Sequence, residues 1–275
     1  MRFDKPTGIY LLLSPVLWAL WVANNGRPPW YLLSIFVLGT IIMRALGCIL
    51  NDIADRRIDI HVQRTNKRPL ATLEVSLGEA LALVLFFLII AFLLLLRLPP
   101  KCFYFALVAI CLTAIYPFCK RFLSCPQSIL ALAFSVAIPM VYVASNKAFD
   151  LNMLLLICIN TLWVISYDTI YAWVDKEDDK KVGVKSSALL WGDNTRKIII
   201  SLQIFIQVLW ILLGLNLGLT WFFGIFWLLG SSNLGKQQEL INSQSSPKWF
   251  LAFKLNGMYG AIMWLGLCYF LVSAG

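Results

Sequence analysis

Two short acidic segments carry the residues best suited to chemistry. The first is Asn51-Asp52-Ile53-Ala54-Asp55-Arg56-Arg57-Ile58-Asp59, and the second runs from Asp168 through Tyr171 and Asp175 to Asp179. In a continuous helix Asn51, Asp55 and Asp59 fall at i, i+4 and i+8 and share one stripe, which Arg44 joins from seven residues earlier. Asp168, Tyr171, Asp175 and Asp179 fall at i, i+3, i+7 and i+11 and share another. Carboxylates at such spacing repel by a few tenths of a kcal/mol in an isolated helix, roughly, and more near a bilayer. A compensating cation is therefore expected. Oxygen donors, in a chain with a single His and no CxxC, suit a hard ion such as Mg²⁺, typically held through one or two carboxylates plus substrate phosphates. Two half-sites of this kind facing each other across a cavity could grip one diphosphate through bridging metals.

Each acidic stripe is followed by a basic stretch: Arg64-Thr65-Asn66-Lys67-Arg68-Pro69 after the first, Lys180-Lys181-Val182-Gly183-Val184-Lys185-Ser186 after the second. Arg64, Arg68, Lys181 and Lys185 could take phosphate oxygens, Arg through its planar fork and Lys as a point charge. Lys120-Arg121, after Tyr116-Pro117-Phe118, could anchor an anionic co-substrate. Simple topology signals would use the same residues. Isolated acidic runs at a membrane face are usually only solvated; two matching stripes, each with its own basic stretch, argue for a site. Tyr116, Tyr167, Tyr171 and Trp173 flank the charged segments, where ring faces can stabilise a cation.

The elements that must position these groups are membrane helices. Of 275 residues, 60% are hydrophobic and 13% charged, which excludes an ordinary soluble enzyme, a disordered chain and a disulfide scaffold. Apolar runs predict nine spans, near 8–23, 30–50, 79–96, 102–118, 126–145, 151–172, 198–214, 218–232 and 255–273. The expected fold is an all-α polytopic membrane protein. The few residues before the first span leave no room for a transit peptide, which favours a bacterial inner membrane. Most Lys and Arg fall on alternate loops that include Arg56, Arg57, Lys120, Arg121, Lys180 and Lys197, so that side, with the N-terminus, is expected to be cytoplasmic. The formal charge of +9 then requires no nucleic acid. The seven cysteines lie in or beside apolar runs and read as small apolar residues. Arg44 falls inside a span, where an ionisable group implies a functional partner; its plainer reading is an ion pair with Asp55 or Asp168.

On these residues the chain resembles the UbiA superfamily of intramembrane aromatic prenyltransferases. The likeness rests on Met43-Arg44-Ala45-Leu46-Gly47-Cys48-Ile49-Leu50 leading into N-D-x-x-D-x-x-x-D at 51–59, then Arg64-Thr65 and Arg68-Pro69-Leu70. It rests equally on Tyr167-Asp168-Thr169-x-Tyr171-Ala172 leading to Asp175, Asp179, Lys181, Gly183 and Lys185-Ser186. Weaker matches are Asp4-Lys5-Pro6 with Gly8, Pro15 with Trp18, and Ile138-Pro139-Met140. Cys125 before Pro126-Gln127 and Thr72-Leu73-Glu74 after Arg68-Pro69-Leu70 depart from the family pattern, which has a Trp at the first place and a Ser-Gly turn at the second.

The resemblance implies one membrane domain of nine helices around a central cavity open to the cytoplasmic side and laterally to lipid, with pseudo-equivalent halves at about 1–124 and 125–275. It implies Mg²⁺-dependent transfer of a polyprenyl group from its diphosphate to the ring of an aromatic acid such as 4-hydroxybenzoate, an early step of ubiquinone biosynthesis. Asn51, Asp55 and Asp59 are then expected to hold one Mg²⁺ and Asp175 with Asp179 the other. Asp175, or else Asp168, takes the ring proton, and Arg44 or Arg121 holds the carboxylate. Another acceptor (naphthoate, homogentisate, haem) is the rival inside the family; a cation transporter is the rival outside it.

Overall fold

Apolar runs wind into helices between the signals that start and stop them. The computed structural model describes residues 6–62, 65–218, 221–243 and 245–273, and no strand occurs among them. In order the helices are α1 (Thr7–Ala23), α2 (Trp30–Asp55), α3 (Leu77–Leu95), α4 (Cys102–Cys119), α5 (Gln127–Ser135), α6 (Ala137–Ala144), α7 (Leu151–Val174), α8 (Lys176–Val182), α9 (Ser187–Trp191), α10 (Thr195–Leu217), α11 (Trp221–Ile241) and α12 (Ser246–Ser273). Asp150 starts α7 by accepting the Met153 N–H at 2.9 Å, and Ser76 with Glu79 makes a reciprocal capping box at α3. Gly183 and Gly218, at φ 73° and 69°, close α8 and α10 in the left-handed conformation glycine tolerates. The run expected as one span at 126–145 is divided at Val136. Pro139 lacks the N–H that would bond back to Ser135.

Among the described residues, seven helical stretches are long and apolar enough to cross a membrane: Trp30–Asp55, Leu77–Leu95, Cys102–Cys119, Gln127–Ala144, Leu151–Val174, Ser187–Leu217 and Ser246–Cys268. The chain is an integral membrane protein. Of the nine spans expected, α1 is shorter, at 17 residues. α11 stands outside the set because its second half carries Ser231, Ser232, Asn233, Lys236, Gln237, Gln238 and Glu239.

Asn233 and Gln237 of that half are buried against neighbouring helices. Trp163 of α7 donates to Asn256 of α12 at 2.9 Å. Asn256 donates to Gln237 of α11 at 3.2 Å, and Gln203 of α10 to the same oxygen at 3.1 Å. Gln237 in turn donates to Asn233 at 2.9 Å. Side-chain hydrogen bonds join membrane helices because lipid gives apolar faces little reason to associate. Beside this network Trp18 meets Trp163 and Trp210, with ring centroids 5.1 Å apart in each pair. Trp18 also donates to the Gly260 carbonyl at 3.0 Å. A Cβ at Gly260 would collide with Ser14 and the Trp163 ring, so glycine lets α12 close onto α1 and α7.

On the other side the packing is open. Ala80 is the buried residue of α3, and α3 with α4 stands off far enough to leave a cavity of about 1520 Å³. Leu88, Phe92, Leu95, Ala106, Ile110, Phe134 and Met140 line its apolar part; the charged residues gather at the other.

Candidate active site

The first acidic segment is not one helical stripe. α2 ends at Asp55, and the chain turns, with Ile58 N–H bonded to the Asp55 carbonyl at 2.8 Å, into a single 3₁₀ turn at Asp59–His61. The second is also interrupted: Asp168 and Tyr171 lie on α7, Asp175 is the residue joining α7 to α8, and Asp179 is on α8. Both breaks turn the chain along the face the acids share. Asn51, Asp55, Asp59, Asp168, Tyr171, Asp175 and Asp179 all line the one cavity.

Basic side chains lock this arrangement. Lys120, just past α4, reaches Asp55 at 3.2 Å and Asn51 at 3.4 Å, and it acts electrostatically on Asp168 of α7 as well. Arg68 pairs with Asp59 at 2.7 Å and Asp52 at 3.1 Å. Burial pushes the Asp59 carboxyl above the usual carboxylate range, against the downward pull of Arg68. Lys185 bonds through its backbone N–H to the Lys120 carbonyl at 2.8 Å and through Nζ to the Phe122 carbonyl at 3.0 Å. The loop after α4 and the loop before α9 are thereby joined. Gln127 of α5 adds a third tie, accepting the Ser187 N–H at 3.1 Å.

Arg44 and Arg121 part company. Arg44 is half-buried in the cavity wall, so close to Gly8 of α1 that a Cβ there would collide with its guanidinium. It is also near enough to Asp168 and Tyr167 to act on both. Arg121 is exposed at the rim, donates to the Ala54 carbonyl at 3.3 Å and lies over the Phe118 ring at 5.2 Å.

Lys181 is not a wall residue. It is 74% exposed and pairs with Asp178 at 3.4 Å; Asp178 and Asp179 are the residues of α8 that line the cavity. Arg64 lies outside the described residues.

Lys67 of the first basic stretch lines the cavity too, as do groups to which the sequence reading gave no role: Asp52, Asp178, Gln127, Phe250, Phe253 and Lys254. Asp52 and Asp178 lie inside the two acidic segments but outside the stripes that helical spacing picks out. Phe250 and Phe253 had no sequence signal. They form an aromatic wall with α7, Phe253 lying 4.7 Å from Tyr171 and 6.1 Å from Tyr167 between ring centroids. Trp173 stacks outside this wall on Trp249, at 4.1 Å and 10°.

Among the described residues no three His, Cys, Asp or Glu side chains converge as a ready-made metal cage. Mg²⁺ does not require one, because it keeps waters and shares its shell with phosphate oxygens. Acids on two sides of a cavity, with Lys and Arg between them, fit a cation that arrives with a phosphorylated ligand. The site can thus bind a diphosphate at its charged end, keep an apolar chain in its apolar part, and shield a reactive carbon beside aromatic rings.

Residues 12–266 match the UbiA prenyltransferase family. The 4-hydroxybenzoate octaprenyltransferase of Legionella pneumophila (strain Paris) is 48% identical over 267 residues, spanning 97% of this chain and 95% of that protein. The protein of the same name from Klebsiella pneumoniae subsp. pneumoniae is 42% identical, spanning 97% and 93%. Among solved structures, a UbiA homolog from Aeropyrum pernix K1 superposes with a TM-score of 0.81 at 23% identity, over 98% of each chain. A UbiA homolog from Archaeoglobus fulgidus, bound to GPP and Mg²⁺, gives 0.71 at 18% identity over 95% of this chain and 98% of that one.

Proposed function

Because the chain belongs to the UbiA prenyltransferase family, we propose that it transfers a polyprenyl group from polyprenyl diphosphate to 4-hydroxybenzoate. The new bond forms at the ring carbon ortho to the hydroxyl, and diphosphate is released. The observation that carries this reading is the single cavity into which both acidic segments, a belt of Lys and Arg and an apolar arm open together. The relatives of the same name, at 42–48% identity over nearly the whole chain, favour this acceptor over naphthoate, homogentisate or haem. They also favour a transferase over a cation transporter, and the reaction so proposed is an early step of ubiquinone biosynthesis.

Asn51, Asp55 and Asp59 would hold one Mg²⁺ and Asp175 with Asp179 the other, and the metal, when bound, neutralises the charge that builds on the leaving diphosphate. Arg68, Lys120 and Lys185 offer N–H donors to the phosphate oxygens that face them, and Arg64 is assigned to the same ligand from its place in the basic stretch alone. Tyr167, Tyr171, Phe250 and Phe253 surround the allylic carbon with ring faces and keep water from it. Arg44, inside the wall, holds the carboxylate of the acceptor; Arg121 at the rim guides its entry. The ring carbon attacks C1 of the prenyl group as the C–O bond to diphosphate breaks, and Asp175, or Asp168 beside it, takes the ring proton.

The reading extends to architecture. α1 and α11 complete nine spans, the charged end of the cavity opens to the cytoplasm of a bacterial inner membrane, and α1–α4 and the remainder form the two halves of one domain. The test is direct. Membranes containing the chain, incubated with 4-hydroxybenzoate, a polyprenyl diphosphate and Mg²⁺, should give the prenylated acid by mass, and EDTA should stop it. Asp55→Ala and Asp175→Ala should each lower the rate more than about 100-fold with insertion unchanged; near wild-type rates in either variant would remove the metal-holding roles.

A further inference from the structure

The cations of the cavity differ in what holds them. Arg68 is bound to two carboxylates and Lys120 to one, while Arg121 and Lys185 sit on backbone carbonyls. Lys254 of α12 is held differently. It lines the same cavity yet is exposed, so it stands where the cavity meets its surroundings. Its Nζ lies 4.7 Å from the centroid of the Phe250 ring, and no carboxylate pairs with it among the described residues. The seat is firm, since Phe250 stacks on Phe253 at 6.0 Å and 25° and meets Tyr171 at 6.2 Å. A ring face at an exposed position is a weak partner for an ammonium, and a charge-assisted bond to a phosphate oxygen is a stronger one. Of these cations Lys254 therefore gives up least when an anion arrives.

We infer that Lys254 is a binding residue for the diphosphate of the incoming prenyl donor. Its Nζ, held over the Phe250 ring, turns to a phosphate oxygen as the donor enters. This inference rests on the prenyl-transfer reading and adds to it a donor-binding group that neither acidic segment nor basic stretch contains. The headgroup phosphate of a membrane lipid offers the same oxyanion chemistry, so the test must separate the two.

The full-length chain is reconstituted in nanodiscs of phosphatidylcholine alone and of phosphatidylcholine with phosphatidylglycerol. Equilibrium binding of a polyprenyl diphosphate with Mg²⁺ is measured first, then steady-state kinetics with 4-hydroxybenzoate. Lys254→Gln should weaken donor binding and raise the donor KM by about tenfold, the loss of one such contact, in both lipids. The kcat and the KM for 4-hydroxybenzoate should stay within about twofold, and Lys254→Arg should restore donor binding. Unchanged donor binding in phosphatidylcholine overturns the inference. An effect confined to discs with phosphatidylglycerol assigns Lys254 to a lipid headgroup instead and also overturns it. So does a loss of kcat that follows a loss of thermal stability, which would mark a structural role. A wild-type chain that binds the donor but prenylates no 4-hydroxybenzoate would sink the acceptor reading alone, because binding still reports on Lys254.

Discussion

Lys120 places its ammonium 3.2 Å from Asp55, so the loop that follows the fourth helix supplies the positive charge under the end of the second. This lysine supplies positive charge at the place where the sequence calls for a compensating cation. Asp55 is only 6% exposed, and a buried carboxylate deprived of its partner is costly.

Lys120→Met is accordingly expected to destabilise the metal-free protein by about 1–3 kcal/mol. Millimolar Mg²⁺ should recover more of the loss than it adds to wild type, because the ion takes over the vacated role. Thermal unfolding in detergent, with Mg²⁺ and with EDTA, checks both parts. Equal Mg²⁺ responses in the two proteins would count against a shared position.

Gly8 makes room for Arg44. Gly8→Ala should push the guanidinium out of its place in the wall, raising the KM for 4-hydroxybenzoate by about tenfold, of the order of one misplaced charge-assisted contact. The donor KM should change little. If both rise together, Arg44 serves the cavity as a whole and not the acceptor.

Leu73 stands where the family pattern has a Ser-Gly turn. It adopts φ 62° and is 85% exposed, a left-handed conformation that costs a residue with a Cβ roughly 1–2 kcal/mol. Part of that gain is offset by the freedom glycine has in the unfolded chain. Leu73→Gly should therefore stabilise the protein by up to about 1 kcal/mol and leave turnover unaltered. A fall in the unfolding midpoint would mean that the Leu73 side chain has a packing partner.

Gln237 accepts from Gln203 and Asn256 and is fully buried. Gln237→Leu leaves both donors without that oxygen and should cost about 1–2 kcal/mol, near the upper end for such bonds between membrane helices. The loss should appear in unfolding measurements with the donor and acceptor KM values held. An unchanged midpoint would show that the α10–α11–α12 junction is held by apolar packing alone.

The sequence by itself determined that this chain lives in a membrane, where most of its helices begin and end, and that acids gather after the second and sixth apolar runs. These properties are local. Hydropathy is a property of composition, caps depend on neighbouring residues, and a charge at the end of an apolar run is conspicuous wherever it falls. Even so, local reasoning carried both acidic stripes along unbroken helices, whereas α2 stops at Asp55 and Asp175 joins two helices. Helical spacing names a shared face without saying where the helix ends.

Only the tertiary structure decided which faces meet. In water an amphipathic stripe announces the buried side of a helix, but a helix bathed in lipid is apolar all round and its pattern does not mark its inner face. So Phe250, Phe253 and Lys254, just ahead of the last run expected at 255–273, carried no mark of a wall until α12, which begins at Ser246, packed against α1 and α7. In the same way nothing in the sequence placed Arg68 between Asp52 and Asp59, and Lys181 read as a second phosphate ligand before α8 turned it outward. A charge's role is set by what lies within a few ångströms of it, and those neighbours come from helices far apart in the chain.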